Sequence, residues 1–254
     1  MMVNFLKVSI ICLLFIVLTA PEQGKAQSID DFTIMTEQYP PHNFQVDGEL
    51  RGISADIMTL MLSKLGSKLS RKDIEVLPWA RGYHETLNHS NKCLFSTTRT
   101  EERENLFKWV GPISPTKVAL IAKKSRNIQI NSIDDLSKYT IGVITDDIAE
   151  QTLINMRVDG LILDDVSRTI MNIKKLNSER IDLWGYAEEV AKWELKSNGF
   201  NPNEYETVYV LQANELYFAF NMETPDKLIN QLQRVLDEIK ETGEQQKIID
   251  KYTK

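Results

Sequence analysis

The hydrophobic positions of this chain fall into short apolar runs, typical of buried strands, and stripes spaced three and four residues apart, typical of amphipathic helices. The runs predict strands over residues 32–36, 74–77, 93–96, 118–122, 140–144, 161–163, 181–184, 206–211 and 216–220. The stripes predict helices over residues 54–65, 166–176 and 188–196, one from about Asp147, and two at the C-terminus separated by Gly243. Because strands and helices alternate, the pattern indicates an α/β fold with mostly parallel sheets.

The loops after these strands carry the polar and aromatic residues. They are residues 37–42, 78–81 and 96–103. In α/β sheets, ligands bind in crevices at the carboxyl ends of strands, so these loops are the expected site. Their composition favours binding of a small polar molecule over chemistry upon it.

The first 26 residues differ from the rest of the chain. Lys7 precedes an uncharged apolar run over residues 8–18, and the small residues Gly24 and Ala26 follow. Eleven apolar residues span about 17 Å as a helix, which is too short for a hydrocarbon core of about 30 Å. We therefore expect a secretory signal peptide over residues 1–26, cleaved after Ala26.

The composition narrows the function classes. The chain has 254 residues, enough for one large or two moderate domains, and its formal net charge of −6 disfavours a nucleic-acid partner. Cys12 lies in the signal segment, which leaves Cys93 without a disulfide partner and predicts that it is a small buried hydrophobe. His42, His84 and His89 lack the spacing of a zinc site, and no phosphate-binding or dinucleotide motif occurs, so neither a metal nor a cofactor is expected.

Seven short segments, in order, resemble family 3 of the bacterial extracellular solute-binding proteins, which are periplasmic amino-acid-type receptors of ABC transporters. The segments are residues 36–44, 48–56, 98–104, 107–112, 132–136, 141–143 and 180–183. The resemblance implies a periplasmic-binding-protein-like (type II) fold, with two α/β lobes joined by two crossing strands and a ligand cleft between them. It places lobe 1 at residues 27–115 and 214–254, lobe 2 at residues 116–213, and the crossings near residues 114–117 and 211–214.

The resemblance also assigns ligand contacts in this sequence. Arg103 matches the family arginine that clamps a ligand carboxylate, although an ion pair with a neighbouring glutamate is the alternative. By the same resemblance, Thr98 is a hydroxyl near the anion, Tyr39 and Trp79 are aromatic residues around the ligand body, and Glu37 is an acid at the mouth. Arg81 is expected in the same cleft because it follows Trp79 by two residues.

The second lobe departs from the family pattern. Asp146 and Asp147 stand in a loop that is usually small and polar, and Ala187, between Tyr186 and Glu188, replaces the aspartate that holds a ligand ammonium. A desolvated charge without a partner is costly, so we expect a ligand other than a standard α-amino acid. Asp147, Glu188 or Glu37 are the residues that could restore the missing charge, and Asp147 and Tyr186 join the expected contacts.

The resulting hypothesis is a non-enzymatic, monomeric periplasmic receptor that passes a small polar or anionic solute to an ABC permease. Two alternatives stay open. One is a sensory module that reports occupancy to a membrane partner. The other is a cleft enzyme resembling cyclohexadienyl dehydratase, in which Glu37, Asp146 or Asp147 would serve as the acid.

Overall fold

The helices and strands of this computed structural model cover residues 27–253, and the predicted signal peptide lies outside the described residues. The helices are α1 (Ile53–Lys64), α2 (Trp79–Asn88), α3 (Ile148–Asn155), α4 (Thr169–Asn177), α5 (Glu188–Ser197), α6 (Asp226–Glu241) and α7 (Glu244–Thr253). The strands are β1 (Thr33–Thr36), β2 (Phe44–Val46), β3 (Glu49–Arg51), β4 (Glu75–Val76), β5 (Lys92–Thr98), β6 (Phe107–Lys123), β7 (Thr140–Ile144), β8 (Ile162–Val166), β9 (Leu183–Ala187) and β10 (Tyr205–Asn221). None of the described helices is long and apolar enough to cross a membrane.

One sheet of eight strands runs through the molecule in the order β4-β1-β5-β10-β6-β9-β7-β8. Its two ends are parallel: β1 pairs in parallel with β4 and β5, and β7 pairs in parallel with β8 and β9. Its middle is antiparallel, because β10 runs against β5 and β6, and β6 against β9. The strands β2 and β3 form a separate hairpin.

The long strands β6 and β10 divide this sheet into two lobes. The first lobe contains β1, β4 and β5 with helices α1, α2, α6 and α7, and the second contains β7, β8 and β9 with helices α3, α4 and α5. Both long strands pass from one lobe to the other, paired from Tyr205 with Lys123 to Asn221 with Phe107. Thr116 pairs with Asn214 midway along, so the predicted crossing segments lie side by side.

Apolar side chains of the helices cover the sheet in each lobe. In the first lobe, α6 buries Leu228, Leu232, Leu236 and Ile239, which recur every three or four residues along one face of the helix. Full burial of each such side chain contributes about 1.5–3 kcal/mol relative to exposure. The second lobe has a core of its own between α3 and strands β7 and β9, which includes Leu153, Ile141 and Leu183. The larger core cluster includes residues of both lobes, such as Ile34 of the first and Ile173 of the second.

The structure corrects three local predictions. The two strands expected over residues 206–211 and 216–220 are one strand, β10, and the strand expected over residues 118–122 is the second part of β6. Trp79, expected in a loop, is the first residue of α2. The sheet is parallel at its ends only, because the two long strands insert antiparallel neighbours. Cys93 is fully buried in β5, as predicted.

Candidate functional site

The expected contact residues converge between the lobes, at strand ends and helix starts. Glu37 follows β1, Trp79 begins α2, and Thr98 ends β5. Asp147 caps the N-terminus of α3 across the cleft, and Tyr186 lies in β9 of the same lobe. Parallel strands bring their carboxyl ends to one edge within each lobe, and contacts between the lobes bring the two edges together.

Arg103 lies between the two lobes and is 1% exposed. Its Nε donates to Gln151 Oε1 (3.0 Å) and its Nη2 to the Asp146 carbonyl (3.3 Å), both in the second lobe, while Nη1 donates to the Thr98 carbonyl (3.3 Å) in the first. The guanidinium lies 5.3 Å from the ring centroid of Trp79 and 5.1 Å from that of Tyr83. No described carboxylate pairs with it, so the alternative of a surface ion pair does not fit the geometry.

Burial lowers the pKa of Arg103, although an arginine keeps its charge at any physiological pH. Neutral oxygens satisfy three of its N–H groups, but they do not neutralise its charge. A buried cation without a paired anion is costly. Arg103 is therefore suited to hold an anionic group that enters the cleft.

The Asp146 carbonyl of the second lobe accepts hydrogen bonds from side chains of the first. Besides Arg103, it accepts hydrogen bonds from Trp79 Nε1 (2.9 Å) and from Gln151 Nε2 (3.0 Å). The Asp146 carboxylate lies 2.9 Å from His84 Nε2 on α2. Asp146 has a φ of +60°, a left-handed conformation that aspartate tolerates better than most residues. The structure is therefore a closed one, with the second lobe held by the first.

Asp147 is buried at the N-terminus of α3. Burial raises the pKa of its carboxyl, and Arg103 and the N–H groups of Ile148 and Ala149 partly offset that rise. A carboxylate here interacts favourably with the helix dipole. Asp147 therefore reduces the positive potential that α3 and Arg103 would otherwise offer to an anion.

The aromatic residues of the cleft form two groups. Tyr39 stacks on His42 and meets the edge of Tyr186 at 5.7 Å between ring centroids. Burial raises the pKa of Tyr39 and that of Tyr186 well above the ordinary value for tyrosine. Trp79 instead packs beside Tyr83 at 5.6 Å. Tyr39 thus faces Tyr186 of the other lobe, while Trp79 contacts Tyr83 of its own helix.

A cavity of about 680 Å³ opens between the lobes next to this cluster. Glu37 and Trp79 are the expected contact residues that line it, and Phe44, Ile144, Thr169, Trp193 and Glu194 are among its other walls. Arg81 lies on the exposed side of α2 and is not part of the cavity wall. Within residues 27–253, no group of three or more His, Cys, Asp and Glu side chains is arranged to hold a metal ion.

Comparison with known proteins agrees with this architecture. The family model "Bacterial extracellular solute-binding proteins, family 3" matches residues 32–254. The chain belongs to this family. It is similar to a probable amino-acid-binding protein of Bacillus subtilis (strain 168), YxeM, at 23% identity over 96% of this chain and 93% of that one.

Solved structures confirm the fold. An ancestral arginine-binding protein bound to arginine superposes with a TM-score of 0.76 at 23% identity, over 88% of this chain and 98% of that one. A histidine kinase sensor domain with similarity to periplasmic binding proteins gives a TM-score of 0.76 at 16% identity, over 87% and 96% of the two chains. The fold is thus the two-lobed periplasmic-binding-protein fold, as the sequence predicts.

Position 187 of this solute-binding protein provides no negative charge for a ligand ammonium group, because it is an alanine. Ala187 is 2% exposed and precedes α5. Glu188, one suggested replacement, pairs with Lys117 and with Lys192. Asp147 lies near Arg103, and Glu37 reaches the cavity from the other lobe. Of these carboxylates, Glu37 is the one that lines the cavity.

Sequence reasoning missed an interlobe cluster around His42. His42 Nδ1 lies 3.1 Å from Ser114 Oγ, and His42 Nε2 lies 3.5 Å from the Glu189 carboxylate, which also accepts from Thr116 Oγ1 (3.0 Å). Burial raises the pKa of Glu189, but the hydrogen bonds from His42 and Thr116 outweigh it and leave the pKa below its ordinary value. No single segment signals this cluster, because its members come from three distant parts of the chain.

Sequence reasoning also missed Tyr83, Gln151 and Glu194. Tyr83 and Gln151 each lie four residues after an expected site residue, Trp79 and Asp147. Helical spacing places such residues on the same face, so a helix prediction over residues 79–88 would have found Tyr83. Glu194 lies on the face of α5 that lines the cavity, and its sequence neighbours give no indication of that.

Proposed function

We propose that this protein is a non-enzymatic receptor that closes over a small solute in the cleft between its lobes. The proposal rests on the buried guanidinium of Arg103. It forms no ion pair with a described carboxylate, and it donates hydrogen bonds to oxygens of both lobes. A ligand with a carboxylate or another anionic group would supply the missing partner. Such a ligand would also add contacts between the lobes and favour closure.

The proposal includes the division of the chain into lobes. Residues 27–115 with 214–254 would form one lobe and residues 116–213 the other. The pairing of Thr116 with Asn214, midway along β6 and β10, supports a hinge at this point. Hinges of this kind need few residues to change their backbone angles.

The ligand is proposed to differ from a standard α-amino acid, although the relatives include amino-acid-binding proteins. Ala187 provides no partner for an ammonium group next to the carboxylate, and Glu188 is engaged by two lysines. The loaded receptor would deliver its solute to an ABC permease or signal to a sensor. A signal peptide over residues 1–26, as expected from the sequence, would place this role in the periplasm.

Binding fits the cleft better than catalysis does. Among the acids that an enzyme would need, Glu37 lines the cavity, and its side chain makes no hydrogen bond with another titratable group of the described residues. Asp147 is held at the start of α3, and Asp146 contacts His84 on the partly exposed side of the cleft. General acid–base chemistry requires a partner within hydrogen-bond reach of the reacting group.

Replacement of Arg103 tests the proposal. A thermal-shift screen of carboxylates and zwitterions should give compounds that raise the melting temperature, since binding to the native state stabilises it. Arg103→Ala should weaken binding of such a compound by about 10- to 100-fold, because a hydrogen bond to a charged group contributes roughly 1.5–3 kcal/mol. Arg81→Ala, on the exposed side of α2, is the matched control.

Calorimetry of the wild type and both variants gives the affinities, and circular dichroism shows whether each variant is folded. An unchanged affinity in folded Arg103→Ala would contradict the proposal. Equal losses in both variants would also contradict it, since Arg81 is exposed on α2 whereas Arg103 is buried between the lobes.

A further inference from the structure

Two carboxylates from opposite lobes face the same cavity. Glu37 follows β1 of the first lobe, and Glu194 lies on α5 of the second, and both line the cavity wall while partly buried. Glu194 accepts a hydrogen bond from Asn198 Nδ2 (3.1 Å). Neither carboxylate forms an ion pair with any described lysine, arginine or histidine. Arg168 also lines the cavity, but its side chain is exposed and pairs with neither acid.

The charges around the cavity do not balance. Burial raises the pKa of Glu37 well above its ordinary value, Asp147 and Glu194 raise it further, and Arg103 lowers it. Burial likewise raises the pKa of Glu194. Glu37 thus lies within electrostatic reach of two other acids, Asp147 and Glu194, as well as of Arg103. A ligand that brought only a carboxylate would add negative charge beside these acids, which like-charge repulsion opposes.

Aromatic rings complete this part of the wall. Phe44, Trp79 and Trp193 line the cavity, with Trp79 in the same lobe as Glu37 and Trp193 next to Glu194 in the chain. Ring faces attract organic cations, most strongly where water is excluded. Carboxylates combined with aromatic faces therefore favour an ammonium or guanidinium group over a hydrated metal ion.

We propose that Glu37 and Glu194 form a subsite for an organic cation, an ammonium or guanidinium group, carried by a ligand whose anionic group binds at Arg103. This inference rests on the proposed function and specifies the chemical class of the ligand. The cation would bind between Glu37 and Glu194, and not beside Ala187, where the family pattern has the aspartate for an ammonium group. Several atoms therefore separate the two charges of the ligand, as in an ω-amino acid.

Two isomers test this arrangement with the full mature protein. 5-Aminopentanoate and L-norvaline have the same atoms and differ in the position of the amine, and pentanoate lacks the amine altogether. We expect 5-aminopentanoate to bind at least about 10-fold more tightly than L-norvaline or pentanoate. Glu37→Gln and Glu194→Gln should each weaken its binding by about 10- to 100-fold and leave that of pentanoate unchanged or strengthened. Glu241→Gln makes the same chemical change at an exposed position of α6 and is the control.

Calorimetry separates the outcomes. Equal or tighter binding of L-norvaline, or an unchanged affinity of both variants for 5-aminopentanoate, would overturn the cation subsite. Failure of all three compounds to bind at millimolar concentration would also overturn it. The proposed receptor function would survive each of these results if the wider screen gave a ligand that Arg103→Ala loses, and it would fail together with the subsite if no such ligand were found.

Discussion

Asp56 shows how one side chain secures the C-terminal helix. It lies in the first turn of α1, is 9% exposed, and meets Arg71 Nη1 at 2.7 Å, Lys251 Nζ at 2.8 Å and Tyr252 Oη at 2.9 Å. Burial raises the pKa of Asp56, but these three partners outweigh it and hold the pKa below its ordinary value. The ionised carboxylate therefore fixes α7 against α1.

We expect Asp56→Asn to lower the free energy of unfolding by about 1–3 kcal/mol at pH 7, since it removes charge-assisted hydrogen bonds from a buried group. The folded-state pKa lies below the unfolded value of about 3.9, so the contribution is complete above that pH and is lost as the pH falls through the folded-state pKa. Urea denaturation of both proteins at pH 7 and pH 3 measures this. A difference that stayed constant between the two pH values would contradict the assignment.

Among the structural elements, the connection from β3 to α1 requires a glycine, Gly52. Gly52 has φ of +118° and ψ of 169°, a region that is essentially restricted to glycine. A Cβ at this position would lie 2.4 Å from the His42 carbonyl oxygen. The same carbonyl accepts the hydrogen bond from the Ser54 N–H (2.8 Å), so Gly52 holds the His42 loop against the start of α1.

Gly52→Ala should lower the free energy of unfolding by about 2–5 kcal/mol, because backbone strain and a steric clash act together. Gly48→Ala is the matched control: Gly48 also has a positive φ of +78°, but nothing lies within 4 Å of its added Cβ. Strain alone should then cost about 1–2 kcal/mol. Denaturant unfolding compares the two variants, and equal losses would show that the contact with His42 is unimportant.

In the molecule as a whole, an aromatic contact connects the two lobes across the mouth of the cleft. Phe44, on the β2 strand of the first lobe, lies 5.4 Å from Trp193 on α5 of the second, measured between ring centroids. Such a pair contributes about 0.5–1.5 kcal/mol beyond the area that it buries. Because the partners belong to different lobes, this contribution favours the closed state over the open one.

We expect Phe44→Ala and Trp193→Ala each to shift the molecule toward the open state and to increase its radius of gyration in small-angle X-ray scattering. The double variant should open little further than either single variant, because the second substitution has no remaining contact to remove. Fully additive effects would show that the two rings act independently.

The sequence by itself determined the class of fold and the position of its anchor. The alternation of strands with amphipathic helices indicates an α/β protein, and the resemblance of residues 98–104 to a family segment points to Arg103, which the structure buries between the lobes. These features are local: each depends on periodicity or on a short motif, so neighbouring residues suffice to read them.

The tertiary structure decided everything that depends on distant partners. β10 is one strand because β6 pairs with it from Tyr205 to Asn221, although Gln212 to Glu215 are too polar to read as strand in isolation. Trp79 starts a helix whose Gly82 lies against Leu94, a residue of β5. The juxtaposition of Glu37 with Glu194 requires the two lobes to close, and it is burial in the closed cleft that raises the pKa of both carboxyls. Burial and closure are properties of the assembled fold, which is why the sequence alone could not place the charges that distinguish this receptor.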